Sequence, residues 1–182
     1  WTKTFGMSYP YQEIGEEGIE LVDGNYIFAG TIFNQALSNY KLGLYLAKIN
    51  PAGDTLWTKF LQGDNFGGAV YITTANDGSY LITGATHATN SIEARAVLIK
   101  INEAGDTLWT RRYGNYITIG RCVKQLNPGE GFIVTGETME YGPGTADVLL
   151  LRTDSGGNKL WEKHYGGVED DIGFAVIQTA EG

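Results

Sequence analysis

The chain has 182 residues, of which 42% are hydrophobic and 19% are charged, a balance that fits a folded, β-rich protein rather than a disordered chain. Thirteen basic and 21 acidic residues give a net charge of −8, and an acidic surface repels phosphate backbones, so nucleic acid is not expected as a partner. No apolar run approaches the roughly 20 residues that span a bilayer, so membrane insertion is not expected either.

In chain order, the elements follow a repeat marked by four tryptophans. Trp1, Trp57, Trp109 and Trp161 are separated by 56, 52 and 52 residues. The surrounding text also recurs: residues 53–59 read GDTLWTK, residues 105–111 GDTLWTR, and residues 157–163 GNKLWEK. A fixed period near 50 residues indicates a propeller or a solenoid built from one supersecondary unit.

Each repeat unit reads as four short strands. The first strand, at 18–22 and 69–74, runs into an Asx-Gly turn of the kind that tight hairpins use. The second strand follows at 26–30, 80–84 and 132–136 and is rich in aromatic and β-branched residues. A third strand with aligned apolar positions then leads through a glycine-containing turn into the tryptophan strand. No stretch has a sustained helical period, so no helix is predicted.

Four antiparallel strands in about 50 residues are the size of a propeller blade. We therefore predict an all-β propeller with three complete blades, at residues 14–61, 67–113 and 119–165. Residues 1–5 are predicted as an orphan fourth strand, and residues 172–182 as the first strand of a further blade. Because closed propellers usually have four to eight blades, and because the chain starts at Trp1 rather than Met, we expect a segment of a larger propeller or a chain that closes by association.

Two sets of repeated residues are predicted to be structural. The tryptophans are expected to fill the space between blades, where a large ring buries much apolar area. Replacing Trp109 with Ala is accordingly expected to cost about 3–5 kcal/mol. Gly30, Gly84 and Gly136 close the second strands, and we expect them to permit close approach to a neighbouring blade.

The repeat resembles the secreted propeller repeats of bacteria and archaea. The resemblance is carried by the GDTLWTK text, by Tyr113-Gly114 and Tyr165-Gly166-Gly167, and by the Asp-Gly-x-Tyr-x-x-x-Gly pattern, and it covers essentially all 182 residues. Such repeats are abundant in Bacteroidetes proteins that carry a C-terminal type IX secretion sorting domain. The resemblance implies export and an extracellular or cell-surface location. The sequence departs from the pattern at residues 127–131, which replace the Asp-Gly turn, and at 157–159, which replace Gly-Asp-Thr.

Catalytic and metal-binding patterns are weak. Residues 169–171, Glu-Asp-Asp, offer too few oxygen ligands alone for calcium, and turn capping is the preferred interpretation. His87 and His164 lack a partner in sequence, and Cys122 reads as a buried, inert thiol. Carboxylates at Glu16, Glu17 and Glu20 surround a first strand, where a solvated face is the commoner role. We therefore predict no catalytic residue, no metal and no cofactor.

Aromatic residues are concentrated in loops that a propeller places on one face, those joining the fourth strand to the next first strand and those joining strands two and three. Rings beside amides suit sugars or protein partners, and variable loops on a repeated scaffold often carry binding. The alternative is that these rings pack between blades or wedge the loops. The candidate ligand-binding residues are Tyr9, Tyr11, Phe33, Tyr40, Phe66, Tyr116 and Tyr141.

The sequence is compatible with three functions. The leading hypothesis is a non-enzymatic, extracellular propeller module for adhesion, assembly or protein–protein interaction, with self-association through open sheet edges or further blades. The second is a glycan-binding, lectin-like propeller. The third is a fragment of a larger propeller hydrolase whose paired carboxylates come partly from other blades. Fold analogy cannot separate them, because all three share one fold.

Overall fold

The computed structural model describes residues 11–34, 43–61, 66, 71–87, 93–140 and 146–180. These residues form three four-stranded antiparallel sheets, each built from four strands consecutive in the chain, and none of them lies in a helix. The prediction of an all-β fold is thus confirmed, and the arrangement is blade-like. The described residues close no ring, and they contain no helix long and apolar enough to cross a membrane.

The strands of each sheet lie in sequence order. Sheet 1 contains β1 (Tyr11–Glu20), β2 (Tyr26–Asn34), β3 (Gly43–Ile49) and β4 (Thr55–Leu61). Sheet 2 contains β5 (Tyr71–Thr74), β6 (Tyr80–His87), β7 (Ala94–Ile101) and β8 (Thr107–Tyr113). Sheet 3 contains β9 (Thr118–Gln125), β10 (Phe132–Thr138), β11 (Asp147–Thr153) and β12 (Lys159–Tyr165). The second strands run two to four residues beyond the predicted ends, and β1 begins well before the predicted residue 18.

The core lies between the sheets, because strand residues alternate between the two faces. On β6, Ile82 packs in a cluster shared with sheet 1, whereas Leu81 packs in a cluster shared with sheet 3. Both side chains are fully buried. The first strands β1 and β5 contact each other, and β9 contacts β5, β6 and β7. Sheet 2 is therefore covered on both faces.

Gly30 and Gly136, which close two of the second strands, make a close approach inside their own sheet. The approach of these glycines to a neighbouring blade stays a prediction. A Cβ added to Gly30 would collide with the carbonyl of Ile14, and one added to Gly136 would collide with the carbonyl of Ile119. Both carbonyls belong to the first strand of the same sheet, next to a β-bulge that shifts the pairing register. The bulge turns a carbonyl toward the second strand, so only a residue without a Cβ fits there.

Candidate functional site

The turn between the third and fourth strands of one sheet receives the tryptophan of the preceding sheet. Gly105 and Gly157 occupy these turns with φ of 81° and 78°. A Cβ on Gly105 would lie 3.0 Å from Cη2 of Trp57, and one on Gly157 would lie 2.9 Å from Cζ3 of Trp109. Glycine is favoured here for two reasons: the backbone has a positive φ, and the tryptophan ring leaves no space for a Cβ.

Polar contacts lock each tryptophan strand to the next turn. Between sheets 1 and 2, Lys59 Nζ donates to Asp106 Oδ1 at 2.8 Å. This contact lowers the pKa of Asp106, helped by a hydrogen bond from Asn102. Between sheets 2 and 3, Tyr113 Oη donates to the Gly157 carbonyl at 2.6 Å. In both interfaces, therefore, the last strand of one sheet is hydrogen-bonded to the turn between the third and fourth strands of the next sheet.

Aromatic and cationic side chains complete these interfaces. The ring of Trp109 lies 5.9 Å from that of Phe132, centroid to centroid. Lys48 Nζ lies 5.9 Å from the centroid of the Tyr80 ring, and Lys100 Nζ lies 6.0 Å from that of Phe132, both in the range of cation–π attraction. In both interfaces, therefore, a third-strand lysine covers the aromatic residue that opens the second strand of the next sheet.

Sheet 3 carries equivalent aromatic and cationic residues on its outer face, and no further sheet packs against that face among the described residues. Trp161 is 40% exposed and Tyr165 is 52% exposed, whereas Tyr113, the equivalent of Tyr165 in sheet 2, is only 7% exposed. Lys163 Nζ lies 5.8 Å from the Trp161 ring centroid. On β11, Val148 and Leu150 are half-buried. We call the surface formed by Val148, Leu150, Trp161, Lys163 and Tyr165 the open face.

The C-terminal residues cross one side of this face. The backbone N–H of Asp171 donates to the Ala146 carbonyl at 2.7 Å, and that of Gly173 donates to the Gly136 carbonyl at 3.0 Å. The Arg121 guanidinium lies 5.2 Å from the ring centroid of Phe174. Phe174 and Ile177 remain 68% and 77% exposed. The ring of Phe174 and the aliphatic side chain of Ile177 extend the apolar surface beside the open face.

Two of the aromatic loop candidates, Phe66 and Tyr116, lie in described linkers but differ in exposure. Phe66 pairs with Thr86 and the backbone of Tyr116 accepts from the N–H of Ala94, so fourth-to-first linkers do meet the ends of strands two and three. Phe66, however, is 2% exposed and belongs to the core between sheets 1 and 2, so it is not a ligand platform. Tyr116 is 40% exposed.

Two of the remaining aromatic candidates lie on described strands. Tyr11 and Phe33 lie at the paired ends of β1 and β2, at this same edge. Tyr9, Tyr40 and Tyr141, like Trp1, lie outside the described residues. Beside Tyr116, the backbone N–H of Asn115 donates to Glu140 Oε1 at 3.0 Å, while Glu140 Oε2 is buried without a hydrogen-bond partner in the described structure.

The weak chemical motifs have structural roles. Asp171 accepts from the N–H of Gly167 at 2.9 Å within its own turn, whereas Asp170 accepts from the N–H of Ala146, 24 residues away, at 3.0 Å. Cys122 is 2% exposed. Within the described residues, no three His, Cys, Asp or Glu side chains are placed to hold a metal ion.

His164 and Glu162 form a local pair on β12. His164 Nε2 lies 2.9 Å from Glu162 Oε1, and Lys159 Nζ donates to Glu162 Oε2 at 2.9 Å. Burial of Glu162 favours its protonated form, but the hydrogen bonds from Lys159 and His164 outweigh burial and lower its pKa. Glu16, one of the first-strand carboxylates, accepts from Thr31 Oγ1 at 3.0 Å. The contacts of Glu162 lie within β12, whereas that of Glu16 joins β1 to β2. Neither contact brings a second carboxylate to the one it holds.

Comparison with models of known protein families finds no match to this chain, and comparison with curated proteins finds no significant match. Functional evidence therefore comes from the surfaces themselves. Tyr165, Phe174 and Ile177 were not predicted from the sequence as functional residues. The 52-residue offset from Tyr113 to Tyr165 was the signal that could have found the first of them.

Proposed function

We propose that the chain is a segment of a β-propeller and acts as a non-enzymatic module for assembly, adhesion or protein–protein interaction. One observation carries this proposal: the open face of sheet 3 repeats the residues that join the other sheets, but leaves them at the surface. Trp161 and Tyr165 are 40% and 52% exposed at positions where Trp109 and Tyr113 lie in an intersheet interface. Contiguous exposed apolar surface of this kind marks interaction sites in soluble proteins.

The character of the open face agrees with protein binding rather than catalysis. Two aromatic rings and two aliphatic side chains are flanked by Lys163 and Arg152, and interfaces are enriched in such rings and in arginine. The proposed extracellular or cell-surface location, with export of the type IX kind, rests on the resemblance of the repeat alone. An exported module that binds through one face would suit adhesion or surface assembly.

The first experiment measures association of the purified chain by sedimentation velocity over a wide concentration range. We expect concentration-dependent association that is lost when Trp161 and Tyr165 are both replaced by Ser. The matched control is Val22→Ser, which removes a fully exposed apolar side chain in the β1–β2 turn, away from the open face. A chain that stays monomeric at every concentration, or that associates equally well in the double variant, would contradict assembly through this face.

Glycan binding is the second candidate, and the neighbourhood of Tyr116 favours it. An exposed ring beside Asn115 and the carboxylate of Glu140 offers a stacking surface next to polar groups, as sugar sites require. Titration with a panel of oligosaccharides should give saturable binding that is lost in Tyr116→Ala and kept in Val22→Ser. Equal binding by both variants would remove Tyr116 from any sugar site.

A further inference from the structure

A shallow cavity lies between two turns at one end of sheet 2. Residues 75–79 turn from β5 into β6, and residues 102–106 turn from β7 into β8. Because the four strands are antiparallel and lie in sequence order, both turns are at the same end of the sheet. Residues 77–79, residues 102–104 and Leu108 line a volume of about 380 Å³ that is open to solvent. We call this volume the turn cavity.

The apolar wall of the turn cavity is exposed although its sheet is covered on both faces. Leu108 belongs to sheet 2, which packs against sheet 1 on one face and sheet 3 on the other, yet its side chain is 54% exposed. The equivalent leucines Leu56 and Leu160 are 49% and 57% exposed. Packing between sheets therefore does not cover this position, and Leu108 offers an apolar contact beside the two turns.

Two carboxylates border the turn cavity, and only one of them is neutralised. Lys100 Nζ donates to Asp77 Oδ2 at 2.6 Å. A Cβ added to Gly78 would lie 2.9 Å from Glu103 Oε1, so the Glu103 side chain rests on the turn at residues 75–79. Within the described residues, Glu103 forms no hydrogen bond and no ion pair. The cavity thus combines an apolar wall with one uncompensated negative charge.

The charge at Glu103 is not a feature of the repeat. Pro51 takes the place of Glu103 in sheet 1, and its Cγ would lie 3.6 Å from a Cβ added to Gly24. Ser155 takes that place in sheet 3. Of the three described sheets, therefore, only sheet 2 brings a carboxylate at this position beside the exposed leucine. The repeated architecture accounts for Leu108 but does not account for Glu103.

We propose that the turn cavity binds an arginine side chain of a basic protein partner, with the aliphatic stem on Leu108 and the guanidinium on the Glu103 carboxylate. A guanidinium is planar and weakly hydrated and forms paired hydrogen bonds with a carboxylate, while its stem covers apolar surface. Two carboxylates are fewer than the six to eight oxygens that calcium takes, so the cavity suits an organic cation better. The cavity belongs to sheet 2 and is separate from the open face, so the inference goes beyond the proposed function.

Charge favours a basic partner over a second copy of this chain. The net charge is −8, so two copies repel each other. The lysines at this end of sheets 1 and 2 are also covered. Lys48 and Lys100 are 11% and 14% exposed, whereas Asp23 and Asp77, with which they pair, are 54% and 57% exposed. This surface presents carboxylates, and the complementary partner presents cations.

The probe for this proposal is a fluorescein-labelled peptide with the sequence GRGRGRG. The control peptide has citrulline in place of each arginine, which keeps the shape of the side chain and removes its charge. Fluorescence anisotropy during titration with the full chain at low salt should show saturable binding of the arginine peptide. The citrulline peptide should bind at least about tenfold more weakly, because charge-assisted hydrogen bonds to a carboxylate are lost.

Two pairs of variants locate the binding. Glu103→Lys should weaken binding of the arginine peptide at least about tenfold, because it replaces attraction by repulsion. Its control, Glu20→Lys, makes the same change in net charge at an exposed carboxylate of β1 and should change binding less than about twofold. Leu108→Ser should weaken binding about threefold through loss of the contact with the arginine stem, whereas Leu160→Ser should leave binding unchanged.

Three results of the peptide experiment would overturn the proposal: no saturable binding, equal binding of the citrulline peptide, or equal losses in Glu103→Lys and Glu20→Lys. Sedimentation velocity of the chain alone adds a fourth. Self-association that is lost in Glu103→Lys would assign the cavity to a second copy and overturn the proposal too. These failures are distinct from failure of the proposed function, which is measured without peptide as association that depends on Trp161 and Tyr165.

Discussion

The phenol of Tyr113, on the last strand of sheet 2, donates a buried hydrogen bond of 2.6 Å to the carbonyl of Gly157 in the turn that opens β12 of sheet 3. This single bond ties the edge of one sheet to the turn of the next. The backbone there already has a left-handed glycine, with φ of 78°, and holds the ring of Trp109. The turn is thus both a chain reversal and the receptor for the preceding sheet.

Removing the hydroxyl tests that tie. In Tyr113→Phe the Gly157 carbonyl keeps its burial and loses its donor, so the free energy of unfolding should fall by about 1–3 kcal/mol. Urea denaturation followed by tryptophan fluorescence measures the change. Tyr165→Phe is the matched control at the exposed equivalent position and should change stability by less than about 0.5 kcal/mol. Equal effects of the two substitutions would show that the bond to Gly157 does not stabilise the fold.

The same residue predicts a dependence on alkaline pH. Burial raises the pKa of Tyr113 above its ordinary value of 10.0, with the Arg111 charge opposing the shift in part. The folded state holds the phenol proton more tightly than the unfolded state. The contribution of the protonated Tyr113 to the free energy of unfolding is therefore complete below pH 10 and is lost as pH rises above that. Denaturation midpoints at pH 9, 10 and 11 should fall less steeply in Tyr113→Phe than in the parent chain. Parallel slopes would contradict a folded-state shift at this residue.

The tryptophan columns offer a paired test of packing between sheets. Trp109 contacts Phe132 and the turn at Gly157, whereas Trp161 is 40% exposed on the open face. Trp109→Ala should therefore lower the free energy of unfolding by about 3 kcal/mol, the lower end of the range for buried aromatic residues because Trp109 is half-buried. Trp161→Ala should cost less than about 1 kcal/mol in the monomer. Thermal melts at low concentration make the comparison, and an unchanged melt for Trp109→Ala would rule out its role between sheets.

The repeat allowed much of this fold to be predicted, because local signals recur along the chain: an Asx-Gly turn in sheets 1 and 2, a β-branched second strand, and a glycine turn before the tryptophan. These signals act within a few residues, so the sequence carries them directly. The bulge at Gly15 and the close contact at Gly30 depend on the register in which two strands pair. The sequence of either strand alone does not specify that register. Hence the sequence did not indicate that Gly30 and Gly136 approach a carbonyl within their own sheet.

The candidate site was harder to predict for the same reason. Phe66 reads as a loop aromatic, but a bridge to Thr86 carries it into the core between two sheets. Tyr165 reads as part of a repeated strand, and its exposure depends on which sheet follows it. Burial of an aromatic side chain is decided by long-range packing, which propensity and spacing do not encode.

Gly30 and Gly15 are opposite each other in the β1–β2 ladder and differ in what a side chain would meet. A Cβ at Gly30 would collide with the Ile14 carbonyl, while one at Gly15 has no heavy atom within 4 Å. Gly30→Ala should therefore destabilise the chain by about 1–3 kcal/mol through forced backbone movement, and Gly15→Ala by less than about 0.5 kcal/mol. Urea unfolding of the two variants provides the measurement. Two equally stable variants would mean that the bulge adjusts freely and that the close approach does not constrain Gly30.

Acid stability should depend on Asp77, in the turn between β5 and β6. Hydrogen bonds from Lys100, at 2.6 Å, and from Ser79 lower the pKa of Asp77 to about 2. Because the folded state binds this proton more weakly than the unfolded state, the carboxylate contributes its stability above the ordinary pKa of 3.8, and that contribution is lost as pH falls toward 2. In Asp77→Asn the fall in stability between pH 5 and pH 2 should be shallower, as should that in Lys100→Met, which removes the charge partner. Ser79→Ala should have an intermediate effect, since it removes the weaker hydrogen bond to Asp77 and leaves Lys100 in place.

Urea denaturation midpoints at half-unit pH steps measure these slopes. A slope in Asp77→Asn that matches that of the parent chain would assign the acid sensitivity to other carboxylates.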